Sequence, residues 1–388
     1  MRYNPVLSSL PTYPTVALDR IRDRMLAEGR TVYDFGTGDP TEPAPSFVKE
    51  RLCTSIPDNC RYPSVVGDPA VRTAFAGWAR RRFGVTLNPD TQVLPSSGSK
   101  EAIFHLPLLV IDPAAPDRGV VYPDPGYSVY HRSAVFAGAE PIAQVLEGDF
   151  VQRPWELPDE VLARTRLLWI NSPHNPTGAV LSRDDLSRTW ELCRKHDILL
   201  ASDECYADTW FDAPPPSILE VAPSQEGVVA VFSLSKRSGM TGYRTGMIAG
   251  DPDVMARLRT LRSNPGLAPQ DFVNAAAAVA WSDDAHADVR RAIFREKRSI
   301  LLDFFSSVGL EVRASDASFY LWVRAPRGLS GQAYAEHLLA AGILTYPGSA
   351  FAIGRSGDGY IRVALVPDPA TCRVAVEAWR QIETGGRA

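Results

Sequence analysis

The stretch GVVAVFSLSKRSGMTGYRTG, Gly227–Gly246, opens on small and apolar residues and ends on Lys236 among hydroxyls with Arg244 eight residues later. Its first part, rich in valine and without polar alternation, reads as a strand buried on both faces. The same pattern recurs upstream in GVVYPD (Gly119–Asp124), RLLWIN (Arg166–Asn171) and DILLASDE (Asp197–Glu204). Amphipathic segments lie between these runs. SRDDLSRTWELCRKH (Ser182–His196) begins with a serine suited to an N-cap and has aspartates in its first turn, the signature of a helix start. Apolar strands alternating with helices predict a parallel sheet covered on both faces. Such sheets bind ligands at the carboxyl ends of their strands.

The chain's 388 residues are enough for one large and one smaller domain. A formal net charge of −4 argues against nucleic acid or an anionic membrane as the main partner. The Arg80–Arg82 run, with Trp78 and Phe83 around it, reads as the solvated side of a helix. Five scattered cysteines with no CxxC spacing predict free thiols and no zinc site. MRYNPVLSSLPTYP at the start has no apolar core of a secretory signal, and no apolar run reaches the roughly 20 residues of a membrane span. A cytoplasmic protein is expected. In the last third, a helical stretch near Asp283–Val308 precedes SFYLWV (Ser318–Val323), AYAEHLLAAG (Ala333–Gly342) and YIRVALV (Tyr360–Val366). These predict a smaller α/β layer completed by the N-terminal segment.

The strand ends carry the chemistry. PDPGY places Tyr127, NSPHNPTG places Asn175, SDECY places Asp203 and Tyr206, and SLSK places Lys236, while LPSSGSKEAIFHL turns into a helix at Gly98-Ser99-Lys100. Each residue alone has an ordinary reading: a turn-capping aspartate, an Asn-Pro turn, a core tyrosine, a solvated lysine. Together they describe one ligand. An enclosed lysine can lose its proton and form a Schiff base with an aldehyde. Helix N–H groups after Gly98, with Ser99, Ser233, Ser235 and Arg244, form an anion site for a phosphate. A buried Asp203 keeps a ring nitrogen protonated, Asn175 and Tyr206 reach a phenolate oxygen, and Tyr127 stacks on a planar ring. Aldehyde, phosphate, ring nitrogen and phenolate define pyridoxal 5′-phosphate. Two nucleotide motifs fail, since PSSGSKE lacks the upstream glycine of a P-loop and FGTGDP is no GxGxxG.

At this point the chain resembles the class I/II aminotransferases, pyridoxal-phosphate enzymes of fold type I. The resemblance covers nearly the whole length, with motifs in the family's order: GDP at Gly38–Pro40, Tyr62 before GDPAVR, SGSKEA, PGY, SPHNPTG, D-E-x-Y, S-x-S-K-x-x-x-M-x-G-x-R, and I-R-V at Ile361–Val363. It implies an α/β fold whose large domain holds a mostly parallel seven-stranded sheet between helices, plus a smaller α/β domain. The divisions expected are an arm at 1–44, the large domain at 45–280 and the small one at 281–388. It further implies Lys236 as Schiff-base lysine and proton shuttle, and Asp203 opposite the pyridinium. Asn175 and Tyr206 fall at the ring oxygen and Tyr127 on the ring. Ser99, Lys100 (through its backbone N–H), Ser233, Ser235 and Arg244 fall at the phosphate. Tyr62 would reach the phosphate of a neighbouring subunit, making a homodimer with shared sites. Arg362 would clamp the substrate α-carboxylate, and Gly38 would let backbone approach the substrate.

The departures are Ala317-Ser318 within SDASFY, Ser128 in PGYSVY and Cys205 in place of an aliphatic residue. Within the family, YDFGTGDPTEP, RYPSVVGDPAVR, TQVLPSSGSKEAIFHLP and SLSKRSGMTGYRTG are most similar to the N-succinyldiaminopimelate aminotransferase branch; aspartate aminotransferases share the core motifs. The expected reaction is ping-pong transfer from N-succinyl-LL-diaminopimelate, or another dicarboxylic donor, to 2-oxoglutarate. A dicarboxylic substrate needs a second cation, for which Arg259 and Arg262 in RLRTLRSNPG are candidates, as against a basic surface face. A β-lyase, racemase or decarboxylase on the same cofactor stays open, because reaction choice depends on bond geometry finer than motifs encode. A regulatory pyridoxal-phosphate module is disfavoured by an N-terminal segment too short and too neutral for DNA binding.

Overall fold

The computed structural model describes residues 1–10 and 14–385. Its strands in chain order are β1 (Tyr33–Asp34), β2 (Val93–Ser96), β3 (Gly119–Asp124), β4 (Glu140–Val145), β5 (Thr165–Asn171), β6 (Leu199–Asp203), β7 (Val228–Ser233), β8 (Gly246–Gly250), β9 (Val312–Arg313), β10 (Tyr320–Arg324), β11 (Ile343–Leu344), β12 (Tyr346–Pro347) and β13 (Tyr360–Ala364). Seven of them form one sheet in the order β2-β8-β7-β6-β5-β3-β4. All neighbours are parallel except β8, which runs against both β7 and β2. The expected α/β fold with a mostly parallel seven-stranded sheet is therefore present.

The strand readings hold, with differences at the ends. Asp197 sits at φ +53, a left-handed conformation that cannot extend, so β6 starts only at Leu199. The helix Arg183–Lys195 begins as expected: Ser182 Oγ accepts from Asp185 N (3.1 Å) and Asp185 Oδ2 accepts from Ser182 N (3.0 Å). This reciprocal box satisfies two otherwise orphaned amides.

Side-chain alternation along the strands divides the core in two. Val120, Leu167, Trp169 and Val231 face one layer of helices, while Val121, Leu168, Ile170 and Phe232 face the other. On the second face Phe75, Trp78 and Trp281 pack within 4.7–5.4 Å of one another, centroid to centroid. The Arg80–Arg82 run departs from a simple solvated face. Arg80 and Arg81 are exposed, Arg81 in a surface pair with Asp284 (2.7 Å), but Arg82 donates to the buried Asp208 (3.2 Å) and to two carbonyls. Arg82, turned about 100° further round the helix than Arg81, finds buried acceptors that no local pattern reveals.

The C-terminal part builds a second sheet, β12-β13-β10-β9, antiparallel throughout. The N-terminal segment joins this region through β1, which pairs parallel with β11. Among the described residues, no helix is long and apolar enough to cross a membrane.

The sheet also buries an acid beside the site. Glu204 follows β6 and is 2% exposed; its Oε1 accepts from Ser202 Oγ and Ile218 N (both 2.9 Å), and its Oε2 has no partner. Burial raises its carboxyl to about 7. A folded value above the unfolded one means that the proton's contribution to stability is complete below the ordinary carboxyl range. It is lost as pH rises through about 7. Glu204→Gln is thus expected to stabilise the protein at pH 8 by about 2–3 kcal/mol, a few degrees in Tm. The gain should vanish below pH 4.5. An equal gain at both pH values would mean that ionisation of Glu204 is not the cause.

Candidate active site

One cavity of about 980 Å³ opens at the carboxyl ends of the parallel strands. Register explains the convergence, since Asn171 lies beside Asp203, Asp203 beside Val231, and Ser233 beside Gly246. Asp203, Tyr206, Ser233, Ser235 and Lys236 line it from the ends of β6 and β7. Tyr127 and Asn175 enter after β3 and β5, Ser99 and Lys100 from the helix Ser99–His105, and Arg244 from the turn before β8. Gly38 and Arg362 close it from the β1 and β13 side. Of the expected residues, Gly98 stands just behind this wall and Tyr62 is exposed outside it.

Lys236 lies in the one-turn helix Leu234–Arg237, capped by Ser233 Oγ accepting from Ser235 N (3.1 Å). Its Nζ donates to the Gly38 carbonyl, over the ring of Phe319 (5.4 Å to the centroid). Removal from water lowers its pKa to about 8; Arg362 and Arg290 push the same way, and Asp39 opposes them. Such an amine gives up its proton far more readily than an ordinary lysine, and the neutral form is the one a nucleophile or base requires.

Asp203 is 4% exposed. Its Oδ2 accepts from Tyr130 OH (2.7 Å), its Oδ1 from Cys205 N (3.2 Å), and Asn171 Nδ2 donates to its carbonyl (2.8 Å). No cation neutralises it among the described residues, so burial pushes the carboxyl up against the pull of those donors. Tyr206 OH lies 3.3 Å from Tyr320 OH, and burial keeps both phenols protonated.

Arg362, 5% exposed, is surrounded by rings: Tyr320 at 4.2 Å, Phe351 at 4.5 Å and Tyr346 at 5.3 Å from its guanidinium carbon. It donates to Asn175 Oδ1 (3.1 Å) and to the Gly36 carbonyl (2.8 Å), and its Nε is buried without a partner. A Cβ at Gly38 would come within 2.7 Å of Tyr320 OH, so any side chain there would displace that hydroxyl. At the other corner Gly98 has φ +80, and a Cβ would fall 2.3 Å from an Arg244 nitrogen. Both the left-handed backbone and the close approach demand glycine there. Among the described residues Arg244 donates to carbonyls, those of Thr241 (2.9 Å) and Ser97 (3.4 Å).

Three of the cations in the cavity wall, Lys236, Arg244 and Arg362, have no carboxylate at ion-pair distance among the described residues. The cavity also contains a buried carboxyl with no cation. Charges of this kind are stable only when a ligand completes them. The complement is a molecule with a cationic nitrogen and several anionic groups.

The candidates for a second substrate cation require correction. Arg262 is 1% exposed and grips Glu101 with two nitrogens (3.1 Å each), and Arg259 donates to the Asp90 carbonyl. Neither lines the cavity. Glu101 in turn accepts from Ser97 N (3.0 Å), so Arg262 steadies the turn before Ser99. The further arginine in the cavity wall is Arg22, on the helix Pro14–Ala27, with Asp19 (3.0 Å) and Asp34 (3.5 Å). Sequence reading passed over it, together with Tyr130 and Tyr320. Tyr130 stands three residues after Tyr127, a helical spacing that could have drawn notice; Tyr320 and Arg22 carry no local signal.

The profile of the family described as Aminotransferase class I and II matches residues 30–378. An LL-diaminopimelate aminotransferase of Dehalococcoides mccartyi is 37% identical over 377 residues, covering 95% of this chain and 96% of that protein. A solved aminotransferase structure from Neisseria meningitidis superposes with a TM-score of 0.91 at 32% identity, covering 98% of this chain and 100% of that one. A probable N-succinyldiaminopimelate aminotransferase from Thermus thermophilus superposes with a TM-score of 0.88 at 25% identity, covering 95% and 99%.

Proposed function

The chain belongs to the class I and II aminotransferases, which use pyridoxal 5′-phosphate, and from this premise we propose that it transaminates a diamino dicarboxylic acid of the LL-diaminopimelate type. 2-Oxoglutarate is the proposed acceptor. The observation that carries the reading is the set of three carboxylate-free cations facing one cation-free carboxyl in a single cavity. That set fits the cofactor group by group. Asp203 would pair with the ring nitrogen, and Asn175 and Tyr206 would hold the ring oxygen. Tyr127 would cover the ring face. Arg244, Ser233, Ser235 and the Gly98-Ser99-Lys100 turn would take the phosphate.

When bound, the cofactor supplies an aldehyde that holds the substrate nitrogen and an electron-poor ring that acidifies the α C–H. The chain's own residues do the rest. Arg362 binds the α-carboxylate, its Nε and one N–H of each terminal nitrogen still open to acceptors. Lys236 Nζ takes the proton from the substrate α-carbon and would return it across the shared nitrogen to the carbon that the cofactor's aldehyde supplies, a transfer suited to an amine titrating near 8. Asp203, once a cation faces it, stays ionised and holds the ring nitrogen protonated. Tyr320, Phe351 and Tyr346 exclude water from the carboxylate clamp.

The name of the Dehalococcoides relative favours free LL-diaminopimelate over its N-succinylated form. The cavity wall supports that choice, because Arg22 with Asp19 and Asp34 offers both signs of charge to a distal amino-acid end. Succinylation would remove the distal ammonium. Half-reactions followed by absorbance are expected to favour LL-diaminopimelate over N-succinyl-LL-diaminopimelate by about tenfold or more. The reverse order would restore the succinylated substrate. We also infer a homodimer: Tyr62 is wholly exposed and outside the cavity of its own chain, as a residue reaching the cofactor phosphate of a second copy would be.

A further inference from the structure

Asp208, five residues past Asp203, and Arg237, the residue after Lys236, are buried charges absent from the cavity wall. All five N–H groups of Arg237 are matched. Nε donates to Asp208 Oδ2 (2.6 Å), one terminal nitrogen to the Ala280 carbonyl (2.7 Å) and His286 Nε2 (3.2 Å), and the other to the Asp283 carbonyl (3.0 Å) and Asp284 Oδ1 (2.7 Å). Arginine only donates, so His286 Nε2 accepts, both from it and from Ser238 Oγ (2.8 Å). The proton of His286 then sits on Nδ1, facing Asp283 Oδ1 (2.7 Å). Asp208 receives Trp78 Nε1 (3.2 Å) on the same oxygen as Arg237, and Arg82 Nε (3.2 Å) on the other.

The two residues belong to the two segments that bear the chemistry. Asp208 follows Asp203 and Tyr206 along the chain, and Arg237 ends the helical turn that carries Lys236. Successive side chains on a helix leave about 100° apart, so Lys236 points into the cavity while Arg237 runs between Trp78 and Trp281 in the opposite layer. The Lys236 carbonyl is held separately by Arg290 Nε (3.2 Å). A buried ion pair adds little net stability over an apolar pair, because desolvation offsets attraction. What it does impose is direction, since a fork with every donor matched tolerates one orientation.

We propose that Arg237, held by Asp208, is a positioning residue for Lys236: it clamps the turn bearing the amine to the segment bearing Asp203 and Tyr206, so that amine and carboxyl keep one spacing. The inference rests on Lys236 being the reacting amine. It is tested by Arg237→Lys and Asp208→Asn, with Arg82→Lys as the control that loosens Asp208 without touching Arg237. The first measurement uses the cofactor-stripped full chain, in which acetylation of Lys236 is followed against pH by peptide mass spectrometry. The midpoint, expected at about 8 in the unaltered protein, should rise by roughly one unit in the two variants, as a loosened amine regains water. The second uses the loaded enzyme: kcat is expected to fall by about 10–100-fold with KM for the 2-oxo acid nearly unchanged. Arg82→Lys should lower Tm only. Unmoved midpoint and kcat in both variants would overturn the proposal, as would an equal midpoint shift in Arg82→Lys. If Arg237→Lys fails to fold, Asp208→Asn, which retains the arginine, decides alone. Failure of the underlying reading is separate and would appear as turnover surviving in Lys236→Ala.

Discussion

Replacement of Lys236 by alanine is expected to lower turnover by at least about 10⁴-fold, and replacement by arginine by as much. The two variants separate charge from proton transfer. Arginine keeps the cation among Asp39, Arg362 and Arg290, yet cannot release a proton in the working range. Lysine at this site can, because its burial lowers the ammonium to about 8. Each half-reaction measured alone should therefore fail in both variants, and the visible absorbance of the bound cofactor should change. Substrate binding should survive, since Arg362 is untouched. Full half-reaction rates in Lys236→Arg, with an unaltered spectrum, would show that this amine is not the proton carrier.

The second large effect is expected at Arg362. Arg362→Lys should reduce kcat/KM by about 10²–10³-fold, or about 3–4 kcal/mol, for donor and acceptor alike. In the proposed ping-pong reaction both substrates would present the same α-carboxylate to the same clamp. A lysine keeps the charge but cannot donate to Asn175 and Gly36 while also meeting a carboxylate two-fold. It also loses the guanidinium's close contact with the Tyr320 and Phe351 rings. A substrate analogue with the α-carboxylate replaced by a neutral amide should react poorly with both enzymes and show little further loss in the variant. Equal losses for acid and amide would assign Arg362 a purely structural role.

Much of this protein is legible one segment at a time. The buried strands, the capping box at Ser182 and the polar residue closing each strand obey rules that act within a few residues. A parallel sheet then brings those strand ends to one edge whatever the side chains do. For that reason Lys236, Asp203, Asn175, Tyr127 and Arg244 meet in one cavity, as their motifs predict. The readings that failed concern which way a helix face turns. Arg259 and Arg262 share a face by their spacing, but only packing shows that it meets Asp90 and Glu101 rather than the cavity.

The same distinction separates the cofactor site from its substrate end. The cofactor groups recur in short motifs because each is delivered by one strand end and its turn. The proposed carboxylate clamp and distal wall join residues far apart in the chain: Arg362 meets Asn175 across 187 positions, and Tyr320 meets Tyr206 across 114. Arg237 and Asp208 are adjacent to motif residues, yet their partnership with Trp78, Arg82 and His286 exists only once the helices are packed against the sheet. Local patterns follow from backbone geometry and so can be read from the order of residues. Contacts of this second kind depend on how whole layers dock, and the chain carries them only through its folded core.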